Sequence, residues 1–251
     1  MLVRRTNAIL AAVAFGPWLS FAADLQPQYG PRQVSATVRA PSLTSGKPAA
    51  PKLMDFVTEK HKDAVAAVLK APTITAKSVE AEFSIYPNVY DWLLEHPDRT
   101  SLAWQRLEIP CVDITDLGKG QFYWTDEHGS ELSWQTVGTF ENGRIWFATG
   151  KVKAGMLMPT IPVKAVAVLQ APRTVADEVG VARIKPQVHV YIQCDSAFAN
   201  AAMKLAGPAA PKMAEEGAEQ LLFYFSGIAR TIYKRPEKLE MLLSPKATVK
   251  K

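Results

Sequence analysis

Residues 131–149 read ELSWQTVGTFENGRIWFAT. In the first half Leu132, Trp134, Thr136 and Gly138 fall on one parity, and in the second Ile145 and Phe147 oppose Trp146 and Ala148. Two alternating runs joined by Glu141-Asn142-Gly143 predict an antiparallel hairpin, with Asn142-Gly143 as its turn signal because both residues tolerate positive φ. Large apolar side chains stand on both parities. The sheet that holds this hairpin is therefore expected to be covered on one face and lined on the other.

Working outward, the same punctuation recurs. Gly118-Lys119-Gly120, Glu127-His128-Gly129 and Lys153-Ala154-Gly155 separate short runs rich in Trp, Phe, Val and Thr. Such spacing predicts an antiparallel meander from Val112 to Cys194, with later strands at Val163–Leu169 and Gln187–Ile192 and a short one around Val179–Ile184. Upstream, Leu53–Lys70 has an amphipathic helical pattern that Pro72 stops, and Thr73–Ile85 alternates as one half-buried strand. Pro87 suits a first helical turn, His96-Pro97 ends that helix, and Asp98 is placed to cap a second short one. Downstream, Ser196–Leu205 reads as a small helix. From Lys212 to Tyr233, Ala214, Ala218, Leu221, Phe225, Ile228 and Ile232 recur at helical spacing, and Gly217 and Ala218 allow close approach to a sheet.

The ends differ from the middle. Residues 1–22 carry Arg4 and Arg5, an apolar stretch from Ala8 to Phe21 and then Ser20-Phe21-Ala22, which predicts a signal peptide cleaved before Ala23 and a periplasmic or secreted protein. The alternative, an uncleaved anchor, is disfavoured because the stretch is shorter than the ~20 residues that span a bilayer. Residues 23–52, broken by Pro27, Pro31, Pro41, Pro48 and Pro51, read as a disordered linker, and 244–251 as a basic tail. One domain is expected over 53–243.

The chain is 251 residues long with a net charge of +5, but the ends hold nine of the 29 basic residues and one of the 24 acidic ones. That leaves 20 basic and 23 acidic groups in 53–245, which argues against nucleic acid as partner. The basic ends suit peripheral contact with an anionic membrane or wall, or simple solubility. Cys111 and Cys194 have neither CxxC spacing nor a third partner, and the sequence leaves a disulfide and two free thiols equally open.

His61, His96 and His128 fall on a polar helix side, a helix end and a turn, and are expected to be solvated. His189 shares a strand face with Gln187, Tyr191 and Gln193, opposite Val188, Val190 and Ile192, so it is read either as a structural histidine or as a polar anchor inside a cavity. No second histidine at ligand spacing supports a metal. Asp113 with Asp116, Asp126 with Glu127, and Asp177 with Glu178 are carboxylate pairs beside turns, where solvation is ordinary, and there is no GxSxG, phosphate-loop or HExxH motif. The reading is a non-catalytic protein without cofactor or metal. Met156-Leu157-Met158, in a Pro-bounded loop, is read as an adaptable apolar portal or as a buried crossover.

The order of strand, helix pair, meander and long terminal helix, running from Thr73 to Tyr233, resembles the START-like or Bet v 1-like helix-grip superfamily. The resemblance covers most of 53–243 and implies an α+β fold, a curved antiparallel sheet wrapped around the C-terminal helix, with a cavity between them that relatives use for lipids, sterols or polyketides. With the export signal added, the reading is an exported carrier of an apolar small molecule or lipid, with Trp134, Phe147, Met156, Leu157, Met158, His189, Tyr191 and Phe225 taken as the residues at the ligand. Some relatives are cyclases, so a cyclase or hydrolase-like enzyme is one alternative. A cell-envelope interaction module with a self-filled pocket is the other. A cavity of several hundred Å3 would favour the carrier, and none would favour the module.

Overall fold

The computed structural model describes residues 52–126, 129–153, 160–194 and 210–244. The hairpin forms as read, between β5 (Glu131–Phe140) and β6 (Gly143–Lys153). Its turn sits one residue earlier than the Asn-Gly signal suggests: Phe140 pairs with Gly143, and Asn142 takes a φ of 56°. Gly143 is needed for space, because a Cβ there would run into the Phe140 ring and approach the Leu169 carbonyl oxygen to 2.8 Å.

The neighbouring strands all add antiparallel. β3 (Thr115–Gly118) and β4 (Gln121–Thr125) join through Lys119-Gly120, β4 pairs with β5, β6 with β7 (Thr160–Gln170), and β7 with β9 (Gln187–Cys194). β1 (Ile74–Val79) pairs with β9, so the seven-stranded antiparallel order is β1-β9-β7-β6-β5-β4-β3. The sheet is curved, does not close into a barrel, and wraps around the long helix α4 (Ala210–Lys234), as in a helix-grip-type fold. β2 (Phe83–Ile85) and β8 (Ala182–Ile184) form a separate two-stranded sheet, so the single strand expected over Thr73–Ile85 divides in two. Glu80 marks the break.

α1 (Lys62–Lys70) is shorter than the helix expected over Leu53–Lys70. Its N-terminal half is instead two 3-10 turns around an extended Val57, which bridges to Gly138, while Thr58 N–H donates to the Val137 carbonyl at 2.8 Å. α2 (Pro87–Glu95) and α3 (Pro97–Arg106) follow, both with proline in the first turn. The cap position of α3 belongs to His96 and not to Asp98, because Pro97 already occupies the first helical position. α5 (Leu239–Leu243) ends the described chain, and Arg106 Nη1 donates to the carbonyls of Met241, Leu242 and Ser244 at 2.8 Å each, satisfying its last turn.

Two apolar clusters sit on opposite faces of the sheet. The larger packs α4, α2 and α3 against Ile74, Trp124, Leu132, Trp146, Leu169 and Val190; the smaller packs Val57, Val65 and Val68 against Val137, Ile145, Phe147, Val166 and Val168. The leading helix thus covers the outer face, which accounts for large apolar residues on both parities. At one end Arg173 grips both Asp91 carboxylate oxygens at 3.0 Å and Asn142 Oδ1 at 2.5 Å, tying α2 to the β5–β6 turn.

Cys111 and Cys194 are free thiols, which settles the pairing that the sequence left open. His61 is not merely solvated: Nδ1 meets Thr58 Oγ1 at 2.9 Å and Nε2 meets Gln135 Nε2 at 2.6 Å. His96 Nδ1 meets the Trp92 carbonyl at 2.8 Å and its ring stacks on Trp92. The signal and most of the linker (1–51), His128, the Met156-Leu157-Met158 loop, the helix read at Ser196–Leu205 and the tail from 245 lie outside the described residues.

Candidate cavity between the sheet and the terminal helix

The central strands of the inner face carry small side chains where α4 crosses. Ala148 of β6 pairs with Ala165 of β7, and Ala167 pairs with Trp146 on one side and Val190 on the other. Three alanines in adjoining registers cannot fill the gap beneath a helix, and a hollow results. Its floor is Ala148, Ala165, Ala167 and Val190; its walls are Trp124, Leu132, Trp134 and Trp146. Gln220, Leu221, Tyr224 and Phe225 of α4 close it from above, and Pro97, Val112 and Ile114 from one end.

The walls are held from outside. Trp146 stacks on Phe225 with ring centroids 5.7 Å apart, Trp134 lies 5.7 Å from Phe122, and Phe225 meets Tyr224 edge-on at 4.8 Å. Trp104 Nε1 donates to the Tyr224 carbonyl at 2.9 Å, and Tyr224 Oη donates to the Pro97 carbonyl at 2.5 Å, so α3 and α4 are locked together at this end. Burial pushes the Tyr224 phenol well above its usual range, keeping it neutral. Ser101 Oγ donates to the Val112 carbonyl and holds the end wall.

The space open to the centre of a water molecule is about 50 Å3. One water needs roughly 10–15 Å3 on that measure, so the hollow has room for a few waters or one small ring and not for a long chain. Among the described residues, its lining side chains carry no ionisable acid or base apart from the neutral Tyr224. The Trp124 indole nitrogen, on a residue 2% exposed, has no hydrogen-bond partner. Among the described residues no cluster of His, Cys, Asp and Glu could hold a metal, and no helix is long and apolar enough to cross a membrane.

The structure gathers Trp134 and Phe225 at the hollow and places Phe147, His189 and Tyr191 on the other face, under or beside α1. For Phe147 the cause is a β-bulge. From the turn, Phe140 pairs with Gly143 and Gly138 with Ile145, but after the register shift Thr136 pairs with Trp146 and Trp134 with Ala148. Cross-strand partners share a face, so one extra residue turns Trp134 inward with Ala148 and leaves Phe147 outward. The same bulge breaks the parity set read from the sequence, because Gly138 faces out, where a Cβ would come within 2.6 Å of the Phe56 carbonyl oxygen.

His189 and Tyr191 keep the parity read for them, but the apolar parity of β9 faces the helix. His189 stands opposite Lys77, and partial burial and that neighbouring charge lower its pKa. Trp124, Trp146 and the alanine floor were missed as a site; what marked them was their alternation against Phe147 and Tyr191, readable only once the bulge is known.

A second buried polar group lies off the hollow. Glu80 Oε1 accepts from Ser226 Oγ at 2.7 Å, while Glu80 Oε2 and the Tyr90 hydroxyl have no partner. Burial raises the Glu80 carboxyl, against the hydrogen bond from Ser226 and the charge of Arg230.

No family model matches the chain, and no curated protein matches it. Among solved structures, an uncharacterized protein from Rhizobium leguminosarum is similar at 16% identity over 59% of this chain and 99% of its own, with a TM-score of 0.26, an overlap that carries no argument.

Proposed function

We propose that the protein is an exported, non-catalytic binding protein of START-like type that holds a compact apolar small molecule between the sheet and α4. The observation that carries the reading is the hollow itself: an alanine floor and indole walls leave space beneath α4, within the larger apolar cluster. Export rests on residues 1–22, with Arg4, Arg5 and Ser20-Phe21-Ala22. A holder is preferred to a cyclase or hydrolase because the lining, among the described residues, offers no carboxylate, imidazole or thiol to move a proton.

The volume of about 50 Å3 favours a second reading, an envelope interaction module whose pocket is nearly filled by its own side chains. Two measurements separate them. Native mass spectrometry of protein purified from its own host should show a small-molecule mass lost on denaturation, and ethylbenzene, followed by intrinsic tryptophan fluorescence, should bind at one saturable site. Neither a retained mass nor saturable binding would overturn the carrier in favour of the module.

A further inference from the structure

The lining of the hollow shows where it meets solvent. Most of its side chains are buried, but Val112, Ile114, Trp134 and Gln220 are only half-buried, so the mouth lies between β5, α4 and the chain that enters β3. One of these lips is unlike the other two. The chain turns out of α3 at Glu108, whose φ is 60°, and runs to Thr115 without helix or strand, as an irregular strap. Its Ile109, Cys111 and Ile114 pack on the larger core cluster, yet none of them is fully buried. Side chains of α3 hold it down. Ser101 Oγ donates to the Val112 carbonyl, Cys111 Sγ lies 3.5 Å from both Ser101 Oγ and the Val112 carbonyl oxygen, and Gln105 Nε2 donates to Asp113 Oδ1 at 2.5 Å. Cys111, Val112 and Asp113 make no backbone-to-backbone hydrogen bond with the described residues. Strands and helices open as cooperative units, whereas a segment held by a few side-chain bonds opens locally and at lower cost.

We propose that the strap from Glu108 to Ile114 is a gate over the hollow, hinged at Glu108 and latched on α3 by the Ser101–Val112 and Gln105–Asp113 bonds, and that small molecules enter and leave beneath it, past Gln220. This rests on the carrier reading and adds the control of its site. Closed, Val112 and Ile114 complete the end wall, and the latch is made in the empty and the loaded protein alike. A latch common to both states sets how fast the ligand exchanges and not how tightly it is held, because it gives neither state an advantage.

Asp113 is exposed and does not line the hollow, so Asp113→Ala in the full chain removes one latch bond and leaves the site intact. Stopped-flow tryptophan fluorescence with ethylbenzene should show association and dissociation both about threefold faster and Kd within about twofold, the effect of losing one hydrogen bond near solvent. Gln105→Ala should do the same, and the double variant no more than either alone, because both remove one bond. The strap carries its own reporter. A thiol reagent should modify Cys111 faster in Asp113→Ala than in the wild type, with Cys194 unchanged. Ethylbenzene that binds while its rates ignore both single variants overturns the gate and keeps the carrier. Cys111 labelling that ignores Asp113→Ala does the same. A change confined to one rate, and so passed on to Kd, overturns the shared latch. No saturable binding of ethylbenzene overturns the carrier and the gate with it.

Discussion

Glu80 sits at the break between β1 and β2 with one oxygen on Ser226 and the other without a partner. Its raised pKa means that the folded protein keeps the Glu80 proton to a higher pH than the unfolded chain does. The stability contributed by protonation is therefore fully present below the ordinary glutamate value of about 4.3, and is lost as pH rises through the folded one. Glu80→Gln keeps an acceptor for Ser226 and removes the charge, so urea midpoints measured across pH 4 to 8 should fall less with pH than in the wild type. Parallel curves would show that the carboxylate is not desolvated. The two cysteines make a second case. Burial pushes the Cys111 thiol up to about 12 and raises Cys194 as well, so at neutral pH both are protonated and poor nucleophiles. Labelling with a thiol reagent, without reductant, should be slow in the folded protein and reach two groups per chain in denaturant; no labelling in denaturant would reveal a disulfide.

Among the elements, α4 carries the inner face. Phe225, 5% exposed and stacked on Trp146, should cost about 3 kcal/mol when cut to alanine, near the lower end for a buried phenylalanine because the adjoining hollow already lacks contacts. Denaturant unfolding checks it, and a midpoint equal to wild type would mean the helix is not docked. Ala218, one of the two residues expected to approach the sheet, is buried at 1% exposure, and a separate tight point lies further along, against α3. A Cβ on Gly227 would stand 2.6 Å from the Trp104 ring. Gly227→Ala should therefore destabilise despite alanine's better helix propensity, by about 1–3 kcal/mol as an overpacked site. A gain in thermal midpoint would show that α3 gives way freely.

For the whole molecule, the sheet separates two jobs between its faces, and adjacent residues report them. Phe147 points out to the cover formed by α1, and Ala148 points in to the hollow. Phe147→Ala should lower stability by about 3 kcal/mol and leave ethylbenzene binding within about twofold, while Ala148→Leu should fill the hollow, abolish binding and leave the protein folded. Circular dichroism melts and fluorescence titrations on both variants read the separation. Loss of binding in Phe147→Ala with unaltered stability would reverse the assignment of faces.

The sequence alone determined the elements that rest on local physics. Asn142 and Gly143, Gly118-Lys119-Gly120 and period-two alternation were enough for the meander, Pro87 and Pro97 for the helix starts, and the stripe from Ala214 to Ile232 for the helix across the sheet. Trp134 and Phe225, two of the residues expected at a ligand, line the hollow. What only the tertiary structure decided is which parity faces which neighbour. A single bulge near Val137 reverses the faces of β5 against β6, and the chain from Phe56 to Thr58 lies on Gly138 at that bulge, a contact some 80 residues apart in sequence. Face assignment depends on register, and register on long-range pairing, so no local pattern could place Phe147, His189 and Tyr191 outside or reveal Trp124 as a wall of the hollow.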